Sequence, residues 1–396
     1  MTAPLHVAIV TETFPPEVNG VAMTLGRMVQ GLLARGHRVS LTRPRQNGED
    51  APAGSTQQAT TLVRGLPIPG YAGLRFGLPA PRLLRRQWRA DRPDVVQVVT
   101  EGPLGASAVA VARELGIPVV SEFHTNFHAY SRHYGFAWLE GLVAGHLRRL
   151  HNRCRMTLVP SHQLGVDLLR RGYHGIRVVA RGVDTQLFNP ARRSAALRAA
   201  WQVGNDDLVV AHVGRLAPEK NLPLLLTTFD AIRSYAPSAR LLLVGDGPSR
   251  KRLEQQHPEH LFAGMRHGED LAAHYASADL FLFPSLTETY GNVTLEALAS
   301  GLPVVAYRMA AAAELIRHGD NGMLADPGAS DQFERAALDL VSRPHMRQRA
   351  VEAAPQSVAA LDWEHIHDRL VAALREAIAR PAMAAANESI YGFVPD

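Results

Sequence analysis

Cysteine is almost missing from this chain. Cys154 stands alone among 396 residues, which excludes a disulfide scaffold and any metal site built from thiolates. No run approaches the roughly 20 apolar residues needed to span a bilayer, and the N-terminus lacks a basic-then-apolar leader; a soluble, cytoplasmic protein is expected. Aromatic residues make up only 6% and no recognition motif accompanies them, so nucleic acid is not an expected partner. Three further absences bear on chemistry. Without G-x-G-x-x-G there is no dinucleotide fingerprint, and without Asp-x-Asp or H-E-x-x-H there is no evident place for a divalent cation. Neither a metal nor another cofactor is expected.

What is present suffices for two cores: 46% of residues are hydrophobic and only 20% charged. The 32 glycines and 26 prolines follow no short repeat, which sets aside collagen-like and low-complexity classes. Charge is uneven. Up to Asp184 there are 22 arginines against 12 acids, whereas the remainder holds 18 arginines and 2 lysines against 25 acids. A basic first half concentrates anions, either a membrane surface or an acidic ligand. An arginine-favouring genome accounts for the same excess without a partner.

Short β-branched runs bounded by turn residues alternate with helical spacings, as buried parallel strands and their crossovers do. Strands are expected at Leu5–Val10, Arg38–Thr42, Asp94–Val99, Pro118–Glu122 and Met156–Pro160, with helices at Val21–Arg35, Pro103–Leu115 and Phe136–Arg153. After an irregular stretch, Arg181–Pro190, the pattern restarts. Its strands are Leu208–Val213, Arg240–Val244, Leu280–Pro284 and Pro303–Ala306, and its helices Asn221–Tyr235, Ser249–Gln256, Val293–Ser300 and Ala311–His318. The expected fold class is α/β, two Rossmann-like lobes facing a central cleft. Residues 1–184 and 185–360 form the lobes, 361–380 a helix returning to the first, and 381–396 a tail. Ligands of open α/β sheets sit beyond the strands' carboxyl ends, so the chemistry belongs there.

Four constellations occupy such ends. Strand Leu5–Val10 runs through Thr11–Asn19 to Gly20, where a glycine lets a phosphate or sugar approach the next helix's amides; one glycine before a helix is also an ordinary turn. Pro284-Ser285-Leu286-Thr287-Glu288-Thr289-Tyr290-Gly291-Asn292-Val293-Thr294-Leu295-Glu296 is the most informative stretch. Glu288 lies in the loop and Glu296 in the following helix, and each carboxylate can accept two hydroxyls of a diol, one pair from a ribose and the other from a sugar. Between them the amides of Asn292 and Val293 open a helix, which favours a diphosphate. An acid near a helix start is also stabilising without a ligand.

Gly214-Arg215-Leu216-Ala217-Pro218-Glu219-Lys220 places two cations at another strand-to-helix junction, suited to neutralising a departing diphosphate. Lys220 and Lys251 are the only lysines, and a lysine kept against that bias points to a compact charge; Lys251, between Arg250 and Arg252, shows that one also survives without such a reason. His124 follows Pro118–Glu122, where it can hydrogen-bond a substrate hydroxyl or stabilise charge. His128 and His133 are read as incidental, and Gly245-Asp246-Gly247-Pro248 as a structural turn. Finally, Phe136–Arg153 carries Leu139, Leu142, Val143, Leu147 and Leu150 at helical spacing with His146, Arg148, Arg149, His151 and Arg153 toward its end. With Arg82, Arg85, Arg86, Arg89 and Arg92 this suits anionic lipid headgroups; a core helix with a cationic last turn is the plainer account.

These motifs resemble the large retaining glycosyltransferase family, family 4 type, that includes phosphatidylinositol mannosyltransferases and lipid α-hexosyltransferases. The resemblance spans almost the whole chain, and its paired-glutamate element is matched by Glu288 and Glu296. It implies the GT-B fold and a last helix crossing back to the first lobe. It also implies roles: Arg215 and Lys220 on the donor diphosphate beside Gly214, Glu296 on the ribose, Glu288 on the hexose, Gly20 on the phosphates from the opposite lobe, His124 beside the reacting carbon, and backbone near Arg266 on the base. Glu122–Tyr130 and Thr287–Glu296 look most like the glycolipid branch, which includes users of GDP-mannose; Tyr290 departs from the phenylalanine common there and leaves donor preference open. The expected function is transfer of a hexose, mannose favoured, from a nucleotide diphosphate sugar to an acceptor hydroxyl, lipid-linked or saccharide, with retention of configuration. A nucleotide-sugar epimerase, an α-glucosyltransferase using a UDP-sugar on a soluble acceptor, and a non-catalytic sugar-nucleotide sensor are the rivals. A nicotinamide oxidoreductase lacks its fingerprint.

Overall fold

A computed structural model describes residues 3–17, 19–46, 58–67, 75–124, 140–204, 206–288 and 290–380. The chain divides into two compact units, Met1–Arg181 with Trp363–Asp396, and Gly182–Asp362.

The first unit holds β1 (His6–Val10), β2 (Arg38–Pro44), β3 (Gln58–Val63), the short antiparallel pair β4 (Gly65–Pro67) and β5 (Arg75–Gly77), then β6 (Val95–Val98), β7 (Val119–Glu122), β8 (Met156–Val159) and β9 (Ile176–Val178). Seven of these make one parallel sheet ordered β3-β2-β1-β6-β7-β8-β9. Every residue of β1, β6, β7 and β8 is buried, which is why these four read as unbroken apolar runs. Helix Gly20–Ala34 buries Leu25, Met28, Val29 and Leu32, and helix Pro81–Ala90 buries Leu84 and Trp88 while its arginines stay outside.

Helix Trp363–Ala379 completes this unit by packing on helix Gly20–Ala34. The approach is close: a Cβ on Gly31 would lie 2.3 Å from the His367 ring. Arg35 pairs with Glu364 and Asp368, both at 2.8 Å. At the other end Arg155 donates to the carbonyls of Ala377, Ile378 and Arg380 at 2.7–3.1 Å, satisfying groups that a helix terminus leaves open.

The second unit is a six-stranded parallel sheet of β10 (Val209–Val213), β11 (Arg240–Val244), β12 (Leu261–Gly264), β13 (Leu280–Phe283), β14 (Val304–Tyr307) and β15 (Gly322–Ala325), ordered β12-β11-β10-β13-β14-β15. Its core gathers Leu225, Phe229, Leu241, Leu243, Leu282, Val305 and Phe333.

One expectation needs correction. Of the helix expected over Phe136–Arg153 the described part runs Glu140–His151; residues 136–139, together with His128 and His133, lie outside the described residues. His151 is not a surface cation. It is fully buried, with Nδ1 2.9 Å from the Ser121 hydroxyl and its ring against Phe123 and Tyr173.

Candidate active site

In each sheet the strand order reverses once, between β1 and β6 and between β10 and β13, and such a switch point is where open α/β sheets bind ligands. In the second unit it is flanked by the loops after β10 and β13, which carry Gly214–Lys220 and Pro284–Gly291.

The first loop is held by its neighbour. Gly214 N donates to Val244 O, Leu216 N to Asp246 O and Ser249 N to Leu216 O, at 2.9–3.0 Å. A Cβ on Gly245 would sit 2.0 Å from Gly214 O, and one on Gly247 2.5 Å from Leu216 O. The Gly245–Pro248 turn is therefore structural in a specific sense, since its missing side chains let the cation-bearing loop lie directly on it. Gly214 itself has φ +150 and Asn221 φ +53, so the backbone turns sharply on both sides of Lys220.

Lys220 and Glu288 form an ion pair, and the Ser285 hydroxyl donates to the same Glu288 oxygen at 2.7 Å. The Lys220 ammonium also lies 5.1 Å from the centre of the Phe283 ring, a cation–π distance. Arg215 is more open, its side chain 52% exposed and 3.8 Å from Glu219. Beneath the loop His212 is fully buried; its Nδ1 donates to Leu282 O at 3.0 Å, and burial pushes its pKa down to about 4, so it is neutral at pH 7. A cavity lined in part by Phe283, Ser285, Glu288, Tyr290, Thr294 and Tyr307 adjoins the pair.

Helix Asn292–Ala299 follows, with Gly291 as its N-cap at φ +89 and no side chain capping it. The amides of Asn292 and Val293 thus lead an uncapped helix end, a ready anion site. Glu296, one turn further on, is partly buried and accepts a 2.9 Å bond from the Tyr275 hydroxyl. Burial pushes its carboxyl up to about 7, with the Tyr275 bond acting in the opposite sense. Arg266, past the end of β12, donates to Ala263 O and Asp270.

In the first unit Gly20 opens its helix, but Asn19 caps it, its Oδ1 accepting from Ala22 N at 2.9 Å. A Cβ on Gly20 would touch nothing within 4 Å among the described residues, so their packing does not demand glycine there. Glu12, earlier in the same loop, lies over the start of helix Pro103–Glu114: a Cβ on Gly102 would fall 2.1 Å from its carboxylate. Burial pushes Glu12 up to about 7 against hydrogen bonds from the Leu104 and Gly77 amides. His124 is buried; its Nδ1 meets Arg181 at 2.6 Å, whereas Nε2 lies 2.7 Å from Glu122 Oε2 without a hydrogen bond between them.

The structure thus brings Lys220 and Glu288 into contact and sets Arg215, Asn292 and Val293 in the loops and helix start around them. Arg266 is tied to its own helix and strand. Sequence reasoning passed over Ser285, Tyr275, Glu122 and Arg181. Ser285 stood within the quoted motif and Glu122 two residues before His124, but Tyr275 and Arg181 meet their partners only through the fold. Among the described residues one trio of potential metal ligands occurs, His257, Glu259 and His260. The two imidazoles are stacked within 4° with centroids 5.5 Å apart and each stands 3.8 Å from Glu259, wider than the roughly 3.3 Å separating ligand atoms around tetrahedral zinc.

Comparison with known proteins follows the same division. Residues 18–187 match the family described as Glycosyltransferase Family 4, and residues 207–343 match Glycosyl transferases group 1. A GDP-mannose-dependent alpha-mannosyltransferase of Corynebacterium glutamicum is 33% identical over 380 residues, 95% of this chain and 90% of that one. The GDP-mannose-dependent alpha-(1-6)-phosphatidylinositol monomannoside mannosyltransferase of Mycobacterium tuberculosis is 28% identical over 357 residues, 85% and 89% of the two chains. Among solved structures, sucrose-phosphate synthase from Thermosynechococcus elongatus superposes with a TM-score of 0.76 at 19% identity, over 95% of this chain and 99% of that chain. The fold is the two-lobed α/β architecture known as GT-B. The chain belongs to the family-4, group-1 glycosyltransferases.

Proposed function

We propose that this glycosyltransferase moves a hexose, mannose favoured, from a nucleotide diphosphate sugar to a hydroxyl of a lipid-linked or glycolipid acceptor, keeping the anomeric configuration. The observation that carries the reading is the Lys220–Glu288–Ser285 cluster at the second unit's switch point, followed by the uncapped helix end at Asn292. A diphosphate brings two charges to this spot. It draws Lys220 away from Glu288, and Arg215 and the amides of Asn292 and Val293 take up further charge as the nucleotide departs. Glu288, released, accepts hydroxyls of the hexose, and Glu296 accepts those of the ribose. No carboxylate stands out as a covalent nucleophile, so the acceptor attacks the same face through an oxocarbenium-like transition state, with His124 beside the reacting carbon. Backbone near Arg266 meets the base. The named substrates of the two mannosyltransferase relatives favour GDP-mannose as donor, and one of them favours a lipid acceptor.

Membrane contact and a place on the inner face of the cell membrane belong to the same proposal. Leu142 is 71% exposed on helix Glu140–His151 beside exposed Arg149, and Arg82 and Arg86 are exposed on helix Pro81–Ala90. Apolar and basic groups together suit an anionic lipid surface. Among the described residues no helix is long and apolar enough to cross a membrane.

The test is incubation with a panel of GDP- and UDP-sugars, with and without glycolipid acceptors in anionic vesicles, following nucleotide release and product. GDP-mannose consumption that depends on the acceptor is expected. Conversion of a nucleotide sugar without acceptor, or tight binding without turnover, would replace this reading with an epimerase or a sensor.

A further inference from the structure

His124 Nδ1 lies 2.6 Å from Arg181 Nη2. A guanidinium only donates, so Nδ1 holds a lone pair, the ring is neutral and its single proton is on Nε2. That nitrogen lies 2.7 Å from Glu122 Oε2 but off hydrogen-bond geometry, and Arg181 Nη1 stands 3.6 Å from the same oxygen, so the Arg181 bond to Nδ1 is what orients the ring. Gln97 Nε2 donates to the other Glu122 oxygen. The side chains of His124, Glu122 and Arg181 are only 4%, 3% and 7% exposed. A buried carboxylate left alone would be costly, and one guanidinium spanning both partners offsets that cost.

We propose that Arg181 is a positioning residue: its guanidinium grips His124 and Glu122 together and fixes the imidazole as a neutral Nε2–H ring in one orientation. The inference rests on the proposed transferase reading, in which His124 adjoins the reacting carbon. Positive charge develops on that carbon during transfer, and an imidazolium beside it would oppose the reaction. Arg181 occupies the Nδ1 lone pair, and Glu122 offsets the charge of Arg181. Because a lysine supplies one point of contact where the fork supplies two, Arg181→Lys preserves charge without preserving the grip.

The experiment compares wild type with Arg181→Met and Arg181→Lys. For both variants kcat is expected to fall roughly 10–100-fold, the effect of a misplaced group at a reacting centre, while the donor KM stays within about threefold. Spectra of protein carrying 15N-labelled histidine, with His124 assigned through His124→Gln, are expected to show the Nε2–H tautomer in wild type and its loss in Arg181→Met. If Arg181→Met does not fold, the Glu122→Gln/Arg181→Met double variant, which leaves no unpaired charge, is expected to show the same loss of kcat. Wild-type kcat in these variants, or a wild-type ring protonated on Nδ1, overturns the inference. A wild-type protein inactive with every nucleotide sugar overturns the transferase reading instead, and the tautomer measurement still decides the grip.

Discussion

The Tyr275 hydroxyl donates to Glu296 Oε2 at 2.9 Å, tying the paired-glutamate helix to helix Gly268–Ala276. Burial holds the Glu296 carboxyl at about 7, and the tyrosine keeps it from rising further. Only the carboxylate form accepts two ribose hydroxyls, so kcat/KM for the donor is expected to rise as pH passes through 7. Tyr275→Phe should move that rise to higher pH. A pH series of donor kcat/KM on both proteins checks it, and an unshifted midpoint would detach Tyr275 from the titration.

The same carboxyl affects stability. Its folded pKa lies above the ordinary value of 4.5, so the stabilising protonated form is present below that value and is lost as pH rises through about 7. Glu296→Gln is therefore expected to be more stable than wild type at pH 8 by about 1–3 kcal/mol, with the difference gone near pH 4. Glu122 behaves oppositely: burial favours its neutral form, but the groups packed on it, His124, Arg181 and Gln97, hold it below the ordinary carboxyl range. Its contribution is present above that range and fades as pH falls below it. Denaturant melts across the pH range test both signs.

Lys220→Ala should abolish transfer, by 100-fold or more on the scale of a lost charge-stabilising group (roughly 10²–10³), while the protein stays folded. Lys220→Arg is expected to restore little, because the larger planar guanidinium does not fit the part-buried place where a compact ammonium meets Glu288 beside Ser285. Transfer should survive a chelator, since cations of the chain take up the leaving-group charge. Nucleotide-release assays with and without EDTA read both outcomes, and rates near wild type in Lys220→Ala would remove the site.

Two glycine substitutions separate structure from ligand contact. Gly245→Ala drives a methyl into Gly214 O and strains a backbone at φ +131; a lowered Tm and lost donor binding are expected. Gly20→Ala meets no atom of the described residues within 4 Å, so it should keep the Tm of wild type and reveal any loss of turnover as a ligand effect.

Sedimentation with phosphatidylglycerol vesicles, but not phosphatidylcholine vesicles, is the result expected of the membrane proposal. Leu142→Asp and Arg82→Ala/Arg86→Ala should each reduce it, and added salt should weaken it further. Equal binding by all three proteins would remove these surfaces from consideration.

The central strands were legible because burial on both faces writes a continuous apolar run, as in Val7-Ala8-Ile9-Val10 and Leu280-Phe281-Leu282-Phe283. The edge strands were not. β3 is Gln-Ala-Thr-Thr-Leu-Val and only half-buried, β9 is half-buried throughout, and β15, Gly-Met-Leu-Ala, has no β-branched residue. Helix Ser330–Ser342 passed unread although it packs on helix Leu222–Tyr235. At the site, local motifs announced Glu288, Glu296 and Lys220, since strand-end loops carry their chemistry in sequence. Partners supplied from afar left no local trace: Tyr275 precedes Glu296 by a strand and a loop, and Arg181 reaches His124 across 57 positions.

The return of residues 363–379 to the first unit means that this unit is not written in one piece. On a ribosome the whole of Gly182–Asp362 emerges before the strip that must lie over Gly31 has been made. The inner unit has all its sequence first, while the outer one waits with the groove beside Arg35 and Arg155 uncovered. A stop codon at position 363 would therefore injure the half of the protein nearer the start of the message and leave the half nearer its end complete.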